Sequence, residues 1–186
     1  MGLFGFKSPS EKKKELLVAE ANEFSLNLNK EKNLPAISTQ LLLKPQEEAF
    51  VQTDSKLYET RAVSYHKSSG SGGAVRIAKG VYVGGSSRSG KSESVQELKP
   101  IDEGTLILTN KRFVFDGKNE NRIIPLDKII SIDPHIDSIE ISAENRTKSM
   151  WFTVPNCFIW IFTFQILIQV PDPHKLGEVH LTANFT

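Results

Sequence analysis

Apolar and polar residues alternate along the chain from about residue 48 to residue 154. Pairs such as Phe113 and Phe115 recur in one segment after another, with turn-forming residues such as Asp116 and Gly117 between the segments. Successive side chains of a strand point to opposite faces of a sheet, so this alternation predicts strands with one buried face. The predicted strands lie at residues 57–65, 74–83, 94–98, 105–109, 112–116, 121–125, 129–133, 138–142 and 148–154. Short strands at roughly ten-residue spacing predict one antiparallel barrel or sandwich.

The first part of the chain has helical periodicity instead. The letters SPSE at residues 8–11 place a serine at an N-cap, a proline at the first helical position and a glutamate at the third, which is the capping box of a helix start. Apolar residues then follow at helical spacing and form one narrow stripe, Leu17, Ala21, Phe24 and Leu28. A helix with one apolar stripe needs a surface to lie on, so we expect it to pack on the following domain or on a partner. A second short element is expected around residues 41–43.

The most apolar part of the chain is the stretch CFIWIFTFQILIQV at residues 157–170. As a helix it would be about 21 Å long, whereas a bilayer core is about 30 Å thick, so it is not expected to span a membrane. Periodicity does not separate a buried helix from a buried strand here, because Ile, Phe, Trp and Val also favour strands. The length of the stretch favours a helix, with Asn156 as its N-cap. Residues 176–186 are expected to form a loose tail.

Charge is unevenly distributed along the 186 residues. The chain has 23 Lys and Arg and 22 Asp and Glu, and this net charge of +1 indicates no particular partner. Residues 61–92, which we call the basic block, nevertheless contain six Lys or Arg and no acidic residue. Such a run indicates either a solvated surface or a contact with an anionic partner. The single cysteine, Cys157, excludes an intrachain disulfide and a cysteine-built zinc site, and the start MGLFGFKSPSEKKK lacks the apolar core of a secretory signal.

Residues 85–92, GSSRSGKS, match the phosphate-loop pattern G-x-x-x-x-G-K-[ST]. A working phosphate loop lies between a parallel strand and an amphipathic helix whose N-terminus holds the anion. The residues that follow, ESVQELKPIDEG, contain too few apolar side chains for a helix with a buried face, and they include Pro100 and Gly104. The nearest candidate for a magnesium-binding acid, Asp116, is followed by Gly117 in a turn-like pair. We therefore interpret the match as a coincidence in a hairpin tip and expect no nucleotide.

The chain shows no other pattern that indicates chemistry. Its sequence contains neither G-x-S-x-G nor H-E-x-x-H, and the histidines have no metal-ligand spacing: His66, His135, His174 and His180. We expect no catalytic residue, no bound metal and no cofactor.

Three segments of the strand region resemble a known family. They are GTLILTNKRFVF at residues 104–115, RIIPLDKIISI at 122–132 and KSMWFTVPN at 148–156. This succession of a strand, a Thr-Asn turn, an aromatic-rich strand and an Ile-Pro-Leu strand resembles the GRAM and bacterial pleckstrin-homology-like domains. The resemblance covers about residues 41–170. It implies an α+β, mainly β fold, a bent antiparallel pleckstrin-homology-like barrel with a C-terminal helix, here preceded by an N-terminal helical extension.

The resemblance also suggests how the chain is organised. We expect a helical extension at residues 1–44, a pleckstrin-homology/GRAM-like domain at 45–170 and a tail at 171–186. Asn110 and Lys111 are expected to form a two-residue hairpin connection, since asparagine tolerates a positive φ. The C-terminal segment departs from the amphipathic helix that the family implies, because it is apolar almost all round.

The resemblance implies binding rather than catalysis. The first hypothesis is a peripheral module that recognises anionic lipid headgroups or a membrane surface, with the basic block as its contact edge. We expect such a module to be cytoplasmic, at the inner face of the membrane. Its candidate anion-binding residues are Lys67, Arg76, Lys79, Arg88, Lys91, Lys111 and Arg112.

The second hypothesis, of equal weight, is a protein–protein interaction or assembly module. Its contact surfaces would be the C-terminal apolar segment and the stripe residues Leu17, Phe24 and Leu28, since an apolar patch without intrachain cover usually finds a partner. Nucleic-acid binding ranks third. Tyr65 and Tyr82 lie in the basic block, but no stacking-platform pattern accompanies them.

Overall fold

The computed structural model of the chain describes residues 8–65, 75–78, 81–83, 93–144 and 146–185. By the contacts among its residues, the chain divides into two units. One comprises the residues up to 59 together with those from 100 onward, and the other comprises residues 60–99. The phosphate-loop match at residues 85–92, its interpretation as a hairpin tip and much of the basic block lie outside the described residues.

Antiparallel strands dominate the structure. The strands are β1 (Ala49–Tyr65), β2 (Val75–Ala78), β3 (Val81–Val83), β4 (Glu93–Thr109), β5 (Arg112–Gly117), β6 (Asn121–Pro125), β7 (Ile129–His135), β8 (Ser138–Ala143) and β9 (Met150–Thr153). Seven of them form one sheet in the order β6-β5-β4-β1-β9-β8-β7, and β2 pairs separately with β3. The expected mainly β, antiparallel fold is confirmed. Within the described ranges no pairing joins β6 to β7, so hydrogen bonding leaves the sheet open.

Most strand boundaries follow the alternation, and three predictions need correction, the first being the strand predicted at 57–65, which begins at Ala49 as β1. β6 has the predicted bounds, and β5, β7 and β8 begin at the predicted residues. The single strand predicted at 74–83 is instead the antiparallel pair β2 and β3. The strands predicted at 94–98 and 105–109 are parts of the continuous strand β4, because the φ fixed by Pro100 is compatible with extended backbone.

The buried face of the sheet consists of cross-strand rows of apolar side chains. Leu57 of β1 pairs with Phe152 of β9, which pairs with Ile139 of β8, and all three are buried. Leu106 of β4 pairs with Phe115 of β5. The ring centroids of Phe115 and Phe152 lie 5.6 Å apart. One core thus joins strands from both sides of β1.

The N-terminal helix α1 (Pro9–Glu31) begins as predicted. The Ser8 hydroxyl accepts a hydrogen bond from the Glu11 backbone N–H at 3.2 Å, and the Glu11 carboxylate accepts one from the Ser8 N–H at 2.6 Å. This confirms the capping box. The helix ends at Lys32, whose φ of 54° is the left-handed conformation common at helix ends. Residues 41–43 form neither helix nor strand, so the second short element predicted there is wrong.

The apolar C-terminal stretch is a helix, α2 (Cys157–Gln169), with Asn156 as its N-cap. Asn156 accepts a hydrogen bond from the Phe158 N–H at 3.1 Å and donates one to the Leu17 carbonyl of α1 at 3.0 Å. The Trp160 ring stacks on Phe113 of β5, with 6.0 Å between centroids. Both α1 and the sheet cover α2, which explains why this helix carries apolar residues on more than one side. No helix among the described residues is both long and apolar enough to cross a bilayer.

The segment after α2 is irregular but not loose, which corrects the expected tail. Leu176 is buried, and its N–H donates to the Lys32 carbonyl at 2.9 Å. Asn29 of α1 exchanges two hydrogen bonds with the Val179 backbone, both at 2.9 Å. These contacts attach the segment to the C-terminal half of α1, so it belongs to the packed unit.

Gly104 lies where β4 and β5 approach closely. A Cβ atom at this position would collide with the carbonyl oxygen of Asp116 and lie 2.5 Å from the Cα of Gly117. Backbone atoms of a paired strand do not move aside easily, so only glycine fits. This accounts for the glycine that opens the GTLILTNKRFVF segment.

We therefore expect Gly104→Ala to lower the free energy of unfolding by about 2 kcal/mol, the cost of forcing an atom into a packed site. Gly177→Ala is the matched control, because a Cβ there meets nothing within 4 Å. Chemical denaturation of both variants measures the difference. Equal stabilities would contradict the close approach of β4 and β5.

Candidate functional site

A buried ion pair joins the chain before β1 to the turn between β4 and β5. Glu47 Oε1 accepts a hydrogen bond from Arg112 Nε at 2.7 Å, and Oε2 accepts one from Nη2 at 3.1 Å. The Glu47 side chain is fully buried, and that of Arg112 is 11% exposed. A buried charge is strongly destabilising once its partner is removed. The two segments therefore hold each other in place.

The environment of Glu47 keeps its carboxylate charged. Burial alone would raise its pKa, because a carboxylate is less stable away from water. Hydrogen bonds from Arg112, from the Lys44 backbone N–H and from the Thr109 hydroxyl outweigh burial, and they lower the pKa from an ordinary 4.5 to about 2. The contact is therefore a true ion pair at neutral pH.

Thr109 shapes the turn that carries Arg112. Its Oγ1 accepts hydrogen bonds from the backbone N–H groups of Lys111 and Arg112, at 3.1 Å and 3.0 Å. The same oxygen lies 2.8 Å from Glu47 Oε1, to which the hydroxyl donates. The threonine of the TNKR sequence thus closes the turn and also contacts the buried carboxylate.

Asn110 connects this turn to the residues on either side of Glu47. Its Nδ2 donates to the Gln46 carbonyl at 3.1 Å, and its Oδ1 accepts from the Glu48 N–H at 3.1 Å. The two-residue connection between β4 and β5 is confirmed. The positive φ expected at Asn110 is wrong. Among the described non-glycine residues, positive φ values occur at Lys32 and Gln46. The turn uses the amide side chain of asparagine instead.

Residues 44–47 form a second turn, which presents Glu47 to its partners. The Glu47 N–H donates to the Lys44 carbonyl at 3.0 Å. Pro45 follows Lys44, and Gln46 has a φ of 59°. Proline second and a positive φ third are the features of a type II turn. The Lys44 N–H donates to Glu47 Oε2 at 2.7 Å, so the side chain of Glu47 also secures the turn that precedes it.

The residues before this turn expose apolar side chains. We call residues 39–45 the leucine loop. Leu42 is 90% exposed and Leu43 is 39% exposed, whereas Leu41 is half-buried. Arg112 Nη2 donates to the Leu42 carbonyl at 3.3 Å, and the Leu41 N–H donates to Thr39 Oγ1 at 3.2 Å. The buried ion pair thus also anchors an exposed apolar loop.

Two cations, Lys44 and Lys111, accompany the leucine loop. Lys44 follows Leu43 directly, and Lys111 Nζ donates to the Pro45 carbonyl at 2.6 Å. Neither ammonium group forms an ion pair with a carboxylate in the part of the chain that the structure describes. The end of the sheet that holds the Glu47–Arg112 pair therefore presents exposed leucines beside positive charge. Sequence reasoning missed this surface, although the run LLLK was visible as its signal.

The predicted anion-binding residues are divided between the two units. Lys111 lies beside the leucine loop, whereas Arg112 is paired with the buried Glu47 and therefore has a structural role. Arg76 lies on β2, in the unit of residues 60–99. The other members of the prediction lie outside the described residues: Lys67, Lys79, Arg88 and Lys91.

The predicted partner-binding stripe is covered by the chain itself. Leu17 is 3% exposed and belongs to the main core, together with Ala21. Leu28 is also buried and packs with Leu34 and Ile166 of α2, and Phe24 is half-buried. The prediction of a free contact surface is therefore corrected, because the stripe is the face by which α1 covers α2.

A shallow apolar cleft lies between β7 and α2. Ile130 and Ile132 line it from β7, and Ile161, Phe164 and Ile168 line it from α2. Ile130 is 69% exposed and Ile168 is 51% exposed. β7 is an edge strand of the sheet. The C-terminal apolar segment thus keeps a partly exposed face beside a sheet edge.

A second shallow cleft is lined by charged residues that neutralise one another. Glu103 pairs with Lys56 at 2.7 Å and with Lys118 at 3.6 Å. Asp102 accepts hydrogen bonds from the N–H groups of Asn119 and Glu120, at 2.6 Å and 2.7 Å. The pKa of Asp102 is lowered to about 2, chiefly by the hydrogen bond from the Asn119 N–H. Other hydrogen-bond donors also lower it, while burial acts in the opposite direction. Asp102 thus organises the turn between β5 and β6, and the cleft offers a ligand little unpaired charge.

The described residues contain no group of His, Cys, Asp and Glu arranged to hold a metal ion. Cys157 is buried, and burial raises its pKa to about 11, so its thiol is a poor nucleophile at neutral pH. His174 contacts Glu48 at 2.7 Å and Asn33 at 3.1 Å, and these contacts tie the C-terminal segment to the residues just before β1 and just after α1.

No protein-family model matches the chain, and no curated protein matches it.

We expect Glu47→Gln to lower the free energy of unfolding by about 3 kcal/mol at pH 7, because Arg112 would keep its buried charge without a partner. Glu144→Gln, which breaks the exposed pair with Lys128, is the control and is expected to cost far less, because water screens an exposed pair. Denaturant titration at pH 7 compares the two variants with the parent chain.

The same pair predicts a pH dependence of stability. The folded pKa of Glu47 is lowered from 4.5 to about 2, so its contribution is complete above pH 4.5 and is lost as the pH falls toward 2. The parent chain and Glu144→Gln should therefore lose about 3 kcal/mol more than Glu47→Gln between pH 5 and pH 2. Parallel slopes for Glu47→Gln and the parent chain would contradict the ion pair.

Proposed function

We propose that the chain is a non-catalytic binding module that attaches to anionic lipid surfaces. The observation that carries the proposal is the position of two cations, Lys44 and Lys111, beside the exposed leucines of the leucine loop. Neither cation forms an ion pair with a carboxylate among the described residues. An anionic leaflet supplies both an acceptor for the ammonium groups and an apolar medium for the leucines. The proposed location is a cytoplasm-facing leaflet.

The fold supports the resemblance from which the hypothesis came. After α1, the large sheet follows an antiparallel order and ends in a C-terminal helix, as a pleckstrin-homology-like barrel would. In a flat sheet, β5 and β9 would lie about 14 Å apart, being three strand spacings from each other. The contact between the Phe115 and Phe152 rings at 5.6 Å between centroids instead favours a bent sheet. We therefore propose a bent, pleckstrin-homology-like barrel that hydrogen bonding leaves open at β6 and β7.

Simple electrostatics gives the expected strength. A cation near an anionic leaflet contributes about 1 kcal/mol, so Lys44 and Lys111 together give weak, reversible attachment. The basic block is a further source of positive charge in the sequence, through Lys67, Arg76, Lys79, Arg88 and Lys91. Exposed charges are screened by salt, so attachment is expected to weaken as ionic strength rises.

The test is co-sedimentation of the full chain with vesicles that contain phosphatidylserine and with neutral phosphatidylcholine vesicles. We expect retention on the anionic vesicles only, and about a tenfold or larger loss of affinity in Lys44→Gln/Lys111→Gln. Lys56→Gln/Lys118→Gln is the matched control, because it removes the same net charge from lysines that are each paired with Glu103. Equal retention on both vesicle types would overturn the proposal.

A second candidate function, an assembly module, is favoured by the cleft between β7 and α2. An unpaired sheet edge beside exposed apolar side chains is a suitable surface for a partner strand. If the cleft mediates self-assembly, light scattering should show an oligomer that Ile168→Asp dissociates. Leu26→Asp is the control, because Leu26 is 69% exposed on α1, away from the cleft. A monomeric parent chain at high concentration would remove this candidate in favour of the first.

A further inference from the structure

The leucine loop exposes apolar side chains to water. Leu42 is 90% exposed and Leu43 is 39% exposed, and they are adjacent in sequence to the half-buried Leu41. A single exposed leucine is common on protein surfaces. Three consecutive leucines in one loop form a patch, and such patches usually mark a contact surface.

The loop is held in this exposed position by the buried ion pair. Arg112 Nη2 donates to the Leu42 carbonyl at 3.3 Å, while Glu47 Oε2 accepts from the Lys44 N–H at 2.7 Å. Lys111 Nζ adds a hydrogen bond to the Pro45 carbonyl at 2.6 Å. Hydrogen bonds in the middle of the leucine run and just after it therefore limit its freedom to fold back onto the core. A loop already fixed in its binding conformation loses little entropy when it binds.

The charges beside the loop indicate what covers it. Lys44 follows the leucine run, and Lys111 approaches the same segment through Pro45; neither is paired with a carboxylate among the described residues. Lysine places its ammonium group at the level of lipid phosphates while its alkyl stem accompanies apolar groups. An apolar tip with adjacent cations is thus complementary to a bilayer interface, where acyl chains lie beneath anionic headgroups.

We propose that the leucine loop inserts Leu42 and Leu43 into the interface of an anionic bilayer, with Lys44 and Lys111 at the headgroup phosphates. This inference rests on the proposed membrane attachment and specifies which surface attaches and how deeply. The ion pair of Glu47 and Arg112 acts here as a support that fixes the loop, and it does not contact lipid itself.

The first part of the test measures insertion directly with an environment-sensitive fluorophore. Leu42→Cys is labelled with a nitrobenzoxadiazole group, while the buried Cys157 is shielded from the reagent. Leu26→Cys, on the exposed face of α1, carries the control label. With phosphatidylserine vesicles we expect a blue shift and a severalfold rise in emission for the Leu42 label only, and quenching by lipids spin-labelled near the top of the acyl chain.

The second part measures affinity. Leu42→Asp is expected to bind the same vesicles at least about tenfold more weakly, because it loses the transfer of an apolar side chain out of water. Leu42→Phe should retain binding, and Leu26→Asp is the matched control. Thermal unfolding of these variants should be unchanged, because both leucines are exposed in the folded chain.

The outcomes separate the two proposals. Vesicle binding with an aqueous Leu42 label overturns insertion and leaves the proposed attachment standing. Absence of binding to any vesicle overturns both. A blue shift that appears without lipid and grows with protein concentration shows that a second copy covers the leucines, which also overturns the inference.

Discussion

The buried contact between Glu47 and Arg112 is the constraint on which the arrangement of the candidate site depends. Each group is costly to bury alone, so the residues before β1 and the β4–β5 turn stabilise each other. Hydrogen bonds from Thr109 and Lys44 complete the carboxylate's shell. Arg112 also fixes the leucine loop, through its hydrogen bond to the Leu42 carbonyl.

Packing of the two helices follows a different constraint, the need to cover α2. That helix is too apolar to lie on a sheet with one side in water, and α1 supplies the cover through its single stripe. The segment after α2 completes the cover where Leu176 and Phe185 pack against the helices. The feature that suggested a partner surface on α1 is thus explained inside the chain, and the apolar surface that α2 still exposes lies at its cleft with β7.

The candidate site was only partly predictable because its contacts join residues far apart in the sequence. Arg112 was recognisable as a cation, but its partner Glu47 lies 65 positions earlier, and no spacing rule connects the two. Because Arg112 is paired with Glu47, it stabilises the fold and its charge is neutralised. Lys44 and Lys111 have no carboxylate partner in the described ranges. Asn110 was correctly placed in a two-residue turn, but its side chain matters for reasons that only the neighbouring loop reveals.

The positions of the helices and of most strands were predictable from local patterns in the chain. Period-two alternation set most strand positions, SPSE set the start of α1, and the length of the apolar stretch favoured the helix that α2 forms, because each signal acts within a few residues along the backbone. The folded chain shows which charges are neutralised, which apolar stripe is covered and which leucines remain in water. Those outcomes depend on burial and on distances between segments that meet only after the chain has folded.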